Sequence, residues 1–173
     1  MSKSRICLGL LIALLLGGAF ETFGQTVVPA TKEQENKLIA VLKSDAPRKE
    51  KADACRLLSI IGTKDAVGPL AALLGDEELS HMARYGLEPI VDSAVDEAFR
   101  DALGKLKGRP LVGVIGSVGV RRDAKAVPAL ANMLGASDAD VAQAAARAMG
   151  SIGTSAAGKA LQAAVGKAPA GNQ

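Results

Sequence analysis

Few residues in this chain could do chemistry. His81 is the single histidine. A zinc site built on it would need carboxylates for its other ligands, an uncommon donor set. Glu77, Glu78 and Tyr85 lie within a turn of it. They could form at most a weak acid/base cluster on one helix face, and a surface histidine is the plainer reading. Serines and aspartates are present, but nothing in the sequence locks them to His81, so no catalytic residue is expected. The stretch "GTSAAGKA", from Gly153 to Ala160, nearly spells a phosphate-binding loop. That loop requires Ser or Thr after Gly-Lys, to hold magnesium, and a strand before it. Ala160 has no hydroxyl and no strand pattern precedes Gly153, so a turn between helices accounts for the same letters. No metal and no cofactor is expected.

Two cysteines are present, Cys7 and Cys55. Cys7 precedes an apolar run instead of following it, which excludes a lipidation cysteine. Cys55 sits in an apolar helical stretch and reads as a small buried hydrophobe. No C-x-x-C-H occurs, so no c-type haem is attached to this chain. Two basic knots, Lys105/Lys107/Arg109 and Arg121/Arg122/Lys125, fall near expected helix ends, where cations complement the backbone dipole. Their functional alternative is a positive rim for an acidic partner or a membrane headgroup. Arginine recurs late in three expected second helices, at Arg56, Arg84 and Arg147, but the third pair has Gly113 there. With Tyr85 and His81 they are the candidate contact residues.

These residues must be positioned by helices. Of 173 residues, 49% are hydrophobic but only 2% aromatic, with no Trp and one Tyr. The core is therefore aliphatic and rich in Ala, which favours helix. Alternating β-branched or aromatic runs are scarce, so the fold is expected to be all-α. The net charge of +3 lacks the strong basic bias of a nucleic-acid binder, and without aromatics to stack bases, no nucleic-acid partner is expected.

Residues 1–24 read as an export signal. Lys3 and Arg5 precede an apolar run from Ile6 to Phe20, followed by small residues. The run falls short of the ~20 residues that span a bilayer comfortably. Cleavage is expected after Gly24, or after Ala19; an uncleaved membrane anchor is the alternative. Residues 25–30 form a linker, 31–168 the folded domain and 169–173 a frayed tail. The mature protein is expected in the periplasm or secreted.

Within the domain, Thr31 opens a helix with Gln34 at capping-box spacing. A second helix starts at Pro47 and ends at Gly62. Val67, Leu70, Leu73 and Leu74 share a face, as do Leu79, Met82, Ala83 and Leu87. Asp92 or Ser93 caps a helix with a Val95/Phe99/Leu103/Leu106 stripe. In "RPLVGVIGSVGV" the Val/Ile content permits a strand, but helix is preferred, with Gly113, Gly116 and Gly119 forming a smooth face for a close neighbour. Val127, Leu130 and Leu134 face inward on the next helix. Val141, Ala145, Ala148, Met149 and Ile152 do so on its partner. "TSAAGKALQAAVGKA" gives a last helix without a full partner. The phrases ending in Gly62, Gly119 and Gly153 recur as terminators of second helices. "AVGPLAALLG" and "AVPALANMLG" align from Ala66 and Ala126. Helix pairs repeating at about 30 residues imply an α-solenoid of about four stacked antiparallel pairs.

The stretch "DAKAVPALANMLGASDADVAQAAARAMGSIG" resembles the HEAT-repeat family, including its short phycobilisome-lyase-like variant. Pro69 and Pro128 match that family's first-helix proline to within a position. The family's Val-Arg in the second helix is Val141-Ala142 here, which leaves an arginine ladder in doubt. The resemblance covers Thr31 to about Lys167 and implies a HEAT-like α-α superhelix acting as a protein–protein scaffold or assembly factor. Similar exported arrays are joined to c-type haem or dehydrogenase modules; any such partner of this chain would be a separate protein. A bilin-lyase-like enzyme is the alternative that the resemblance carries, and a HEAT-like DNA glycosylase is disfavoured by the export signal and absence of Trp. A membrane is a partner only if the N-terminal segment stays attached.

Overall fold

The structure, a computed structural model, describes residues 31–165. The expected export signal, linker and tail lie outside the described residues.

Local capping sets the repeat. Thr31, Thr63, Asp92, Asp123 and Thr154 each accept a hydrogen bond from a backbone amide two or three residues on. Such a bond satisfies one of the amides that a helix start leaves unpaired. At Thr31 the full capping box forms with Gln34. These five caps recur at intervals of 29 to 32 residues. Each opens the first helix of a unit: α1 (Lys32–Lys43), α3 (Lys64–Ala71), α5 (Ser93–Leu103), α7 (Val127–Met133, entered through a 3-10 turn at Ala124–Ala126) and α9 (Ser155–Ala164). The second helices are α2 (Arg48–Ile61), α4 (Ser80–Leu87), α6 (Gly108–Arg121) and α8 (Ala139–Ile152). Pro47 caps α2 from outside instead of forming its first turn.

Each first helix packs on its own second helix, and α2, α4, α6 and α8 then pack side by side in order. The first helices form the other layer through α1–α3, α3–α5 and α7–α9 contacts. This is an all-α solenoid of four helix pairs, closed at one end by α9 lying on α7 and α8. The described residues contain no strand. One continuous apolar core runs through the array, from Ile39 and Leu42 through Leu58, Leu70, Leu87, Phe99 and Ile115 to Leu130, Met149 and Ala157. The inward faces expected from the sequence are buried, except that Leu73, Met82 and Leu106 are only partly so. Leu106 lies beyond the end of α5, and Leu73 beyond the end of α3.

"RPLVGVIGSVGV" is helical, and the reason is burial. Leu111, Val114, Ile115 and Val118 recur at helical spacing and are all buried. Two expectations about its glycines need correction. Gly119 does not terminate α6: the helix runs on to Arg121, and Arg122 takes the left-handed cap at φ 54°. Gly62 ends α2 in extended backbone, and of the three recurring glycines Gly153 alone ends its helix left-handed. The repeated phrase therefore serves three different backbone purposes. Nor do the three glycines share one function. A Cβ on Gly119 would lie 2.8 Å from Cα of Ala148 on α8, whereas one on Gly116 would meet nothing within 4 Å.

This contrast yields a paired prediction. Gly116→Ala should raise stability by up to about 1 kcal/mol through helix propensity. Gly119→Ala gains the same propensity but must push α6 off α8, and overpacking costs about 1–3 kcal/mol. Its net effect should be destabilising, and urea melts of the two variants should move in opposite directions.

Cys55 is fully buried on α2. Burial pushes its thiol up to about 11, and thiol reactivity follows the thiolate. The native protein should therefore leave Cys55 unlabelled by a thiol-reactive dye near pH 8, with labelling appearing only through the denaturation transition.

Candidate functional site

The outward surface of the second helices carries the five candidate contact residues. Arg56 stands on α2; His81, Arg84 and Tyr85 on α4; Arg147 on α8. No hydrogen bond or ion pair joins any two of them among the described residues. Arg56 makes a long pair with Asp53 at 3.8 Å, and Arg147 reaches Gln143 at 3.5 Å; both arginines are exposed. His81 is exposed. The acid/base cluster considered around it does not assemble, because Glu78 is paired to Arg48 of α2.

The same surface exposes apolar side chains, of which the sequence reading singled out only Tyr85. Leu57 is 39% exposed, Ile60 75%, Tyr85 50% and Val120 67%. All four lie on α2, α4 or α6. On a helix half-buried in a core, an exposed Ile or Val is unremarkable singly. Their concentration on consecutive, laterally packed second helices is the feature that bears on binding.

Between α4 and α6 lies a polar seam. Arg84 on α4 and Glu88, the residue that caps its end, are one turn apart; on α6, Gly113, Ser117 and Arg121 follow at i, i+4 and i+8. Buried Ser117 donates its Oγ–H to Glu88 Oε1 at 2.6 Å. Arg121, at the end of α6, donates from Nη1 to the carbonyls of Glu88 at 2.8 Å and Ile90 at 2.9 Å, and from Nε to Asp96 Oδ1 at 2.5 Å. It thus caps the C-terminal end of α4, where a cation is favoured. The basic knot at Arg121/Arg122/Lys125 is a helix-end device at this residue, although the carbonyls belong to the preceding unit. An exposed cleft of about 340 Å³ beside the knot is lined also by Asp96, Glu97 and Asp123. Its Arg100 pairs with Asp123, so this rim is of mixed charge. Lys105, Lys107 and Arg109 are exposed around the start of α6.

Arg84 differs from the other two recurring arginines. It is half-buried, and its guanidinium lies over Gly113, where a Cβ would stand 2.6 Å from Cζ. Its one hydrogen bond among the described residues is long, from Nη1 to the Gly113 carbonyl at 3.4 Å. Nε is buried and has no partner there. Burial pushes the guanidinium pKa down, opposed by the nearby Glu88 charge. Gly113 occupies the position that Arg56, Arg84 and Arg147 hold in their own helices. The missing arginine of the third pair thus leaves the seat for the second pair's arginine. Sequence gave the absence and not its purpose.

Polar side chains also tie neighbouring units elsewhere. Glu35 on α1 accepts from the Thr63 amide at 2.7 Å and the Thr63 hydroxyl at 2.8 Å. Arg84–Gly113, Glu88–Ser117 and Glu35–Thr63 each span 28 or 29 residues, about one repeat. Between α6 and α8, by contrast, no side-chain hydrogen bond crosses among the described residues, and the extensive packing of the two helices includes the bare Gly119–Ala148 approach. An inter-repeat ladder therefore exists, but it is built from mixed polar groups and not from a row of matching arginines. Among the described residues no cluster of three or more His, Cys, Asp or Glu could hold a metal, and no helix is long and apolar enough to cross a membrane.

Compared with known proteins, residues 97–172 match the family model described as HEAT repeats. No curated protein matches the chain.

Proposed function

Since the chain belongs to the HEAT-repeat family, whose members generally serve as protein-interaction scaffolds, we propose that it is a non-enzymatic scaffold or assembly factor. It binds another protein along the outward face of α2, α4, α6 and α8, and it works outside the cytoplasm. The observation that carries this reading is the exposure of Leu57, Ile60, Tyr85 and Val120 on consecutive second helices. Apolar and aromatic side chains ringed by charge are what a protein interface places at its centre. Arg56, Arg84, His81 and Arg147 supply that polar surround. Export is supported by the basic start and the 6–20 apolar run. The partner, which could be a separate haem or dehydrogenase protein, has to bring its own cofactor.

Site-specific photo-crosslinking tests the surface. A crosslinker at Ile60, Tyr85 or Val120, introduced in the producing cell, should trap one discrete partner. The same group at exposed Lys37 on α1 should not. Equal yield at all four positions, or none at any, rejects the assignment. The mass of the protein recovered from the extracytoplasmic fraction reports cleavage near Gly24; recovery only from the cytoplasm removes the export part.

A further inference from the structure

We propose that Arg84 is a carboxylate-reading anchor on this surface: the partner presents an Asp- or Glu-bearing segment whose carboxylate closes on the guanidinium seated over Gly113. The inference deepens the scaffold reading and rests on it.

The argument begins with what Arg84 lacks. An arginine on a helix ordinarily pairs with an acid one turn away. Glu88 is in that position, but it makes no ion pair with Arg84 within 4 Å and accepts from Ser117 at 2.6 Å. The guanidinium presents five donors in a fixed fork. One makes a 3.4 Å hydrogen bond, and the buried Nε–H makes none among the described residues. An unpartnered buried donor is costly and calls for an explanation. Here the burial is also built in. A side chain at position 113 would overlap the guanidinium, with Nε and Cζ both 2.6 Å from its Cβ, so glycine is what lets the charge lie flat against α6. Arg84 as a whole is half-buried, so part of its side chain meets solvent, on the same helix as exposed Tyr85 and His81. A carboxylate arriving from that side offers two acceptors matched to the fork, the strongest neutralising contact such a site can make. Arg56 and Arg147, already exposed and solvated, carry no comparable deficit.

The test titrates the purified mature chain with hexaglutamate and with hexaglutamine, following the Arg84 Nε–Hε resonance by two-dimensional NMR. A saturable shift with hexaglutamate and none with hexaglutamine is expected. Arg84→Lys, which keeps the charge but loses the fork, should weaken binding at least tenfold. Gly113→Ala, which displaces the guanidinium, should do the same, while Lys37→Gln on α1, away from this face, should leave the affinity unchanged. Circular dichroism verifies that each variant is folded, and Arg84→Lys stands as the reference if Gly113→Ala is not. No saturation, equal binding by Arg84→Lys, or an equal response to sodium sulfate overturns the proposal; the last would mean that any small anion suffices. If hexaglutamate fails while crosslinks from Tyr85 persist, the scaffold reading stands and the carboxylate assignment falls. If crosslinks fail while hexaglutamate binds through Arg84, the anchor stands and the extended docking surface falls.

Discussion

Arg121→Ala should cost about 3 kcal/mol, within the range seen when one member of a buried charged network is removed. The side chain is 14% exposed and fastens the end of the preceding unit to the start of its own. Nη1 holds the carbonyls of Glu88 and Ile90, Nη2 reaches that of Asp92 at 3.4 Å, and Nε holds Asp96. Pro89 lies in the middle of this bend and has no amide to offer its neighbours. Alanine would leave the carbonyls and the Asp96 carboxylate without their donor, and each such loss carries a desolvation penalty. The size of the effect separates two causes. If the carbonyl anchoring dominates, Asp96→Asn, which keeps an acceptor oxygen and removes only the charge from one contact of four, should cost only about 1 kcal/mol. Arg121→Lys should recover little, because an ammonium cannot span the carbonyls and Asp96 together. If the ion pair dominates instead, Asp96→Asn should match Arg121→Ala. In a solenoid the interface term sets cooperativity as well as stability. The melt of Arg121→Ala should therefore broaden or split, as the units before Asp92 lose their coupling to those after it. A single sharp transition at the wild-type midpoint would refute this assignment.

What the sequence made legible, and what it hid, divides along a physical line. Patterns confined to one helix were readable: the Thr31–Gln34 capping box, the Val95/Phe99/Leu103 stripe, the inward face of α8. Each depends on residues three or four apart, so the period of the helix reveals it. The expectation of paired helices at about 30 residues was readable for the same reason, one level up. Groups whose partner lies a whole repeat away were not. Arg121 looked like a charge at the end of its own helix, and its partners proved to be carbonyls some thirty residues earlier. Gly119 looked like a stop signal because glycine ends helices so often; its neighbour Ala148 on α8 could be found only from the packing. The missing arginine at Gly113 was noticed as a departure from the repeat, yet its meaning needed the position of Arg84. Of the contact surface, the arginines, His81 and Tyr85 were named, while Leu57, Ile60 and Val120 were not. Apolar residues on an amphipathic helix are read by default as core.

Glu35 was hidden for that same reason, and its substitution is the second large effect. It lies in the first turn of α1, where an acid is ordinary, but it is only 2% exposed. Its Oε1 accepts from both the amide and the hydroxyl of Thr63, the cap of α3, and Oε2 takes Lys32 Nζ at 2.6 Å. In the next units the position four residues after the cap is Val67, Asp96 and Val127. Glu35 and Asp96 are thus corresponding acids. Glu35 accepts from Thr63, the cap of the following unit, and Asp96 from Arg121, the last residue of its own unit's second helix. Glu35→Ala removes a charged acceptor shared by two donors and should cost about 2 kcal/mol. Glu35→Gln keeps the shape and one acceptor oxygen, and should cost less. The pH dependence gives the sharper test. Burial by itself would push the Glu35 carboxyl up; Lys32 and the two Thr63 donors outweigh it and hold the pKa below the ordinary glutamate value. Because the folded value is the lower one, the stabilisation is complete above the unfolded pKa and disappears as pH falls through the folded one. Wild type should therefore lose stability relative to Glu35→Gln on acidification through and below the ordinary carboxylate range. The difference between their urea midpoints should be constant near neutrality and shrink in acid. Parallel pH profiles for the two proteins would show that Glu35 contributes shape and no charge.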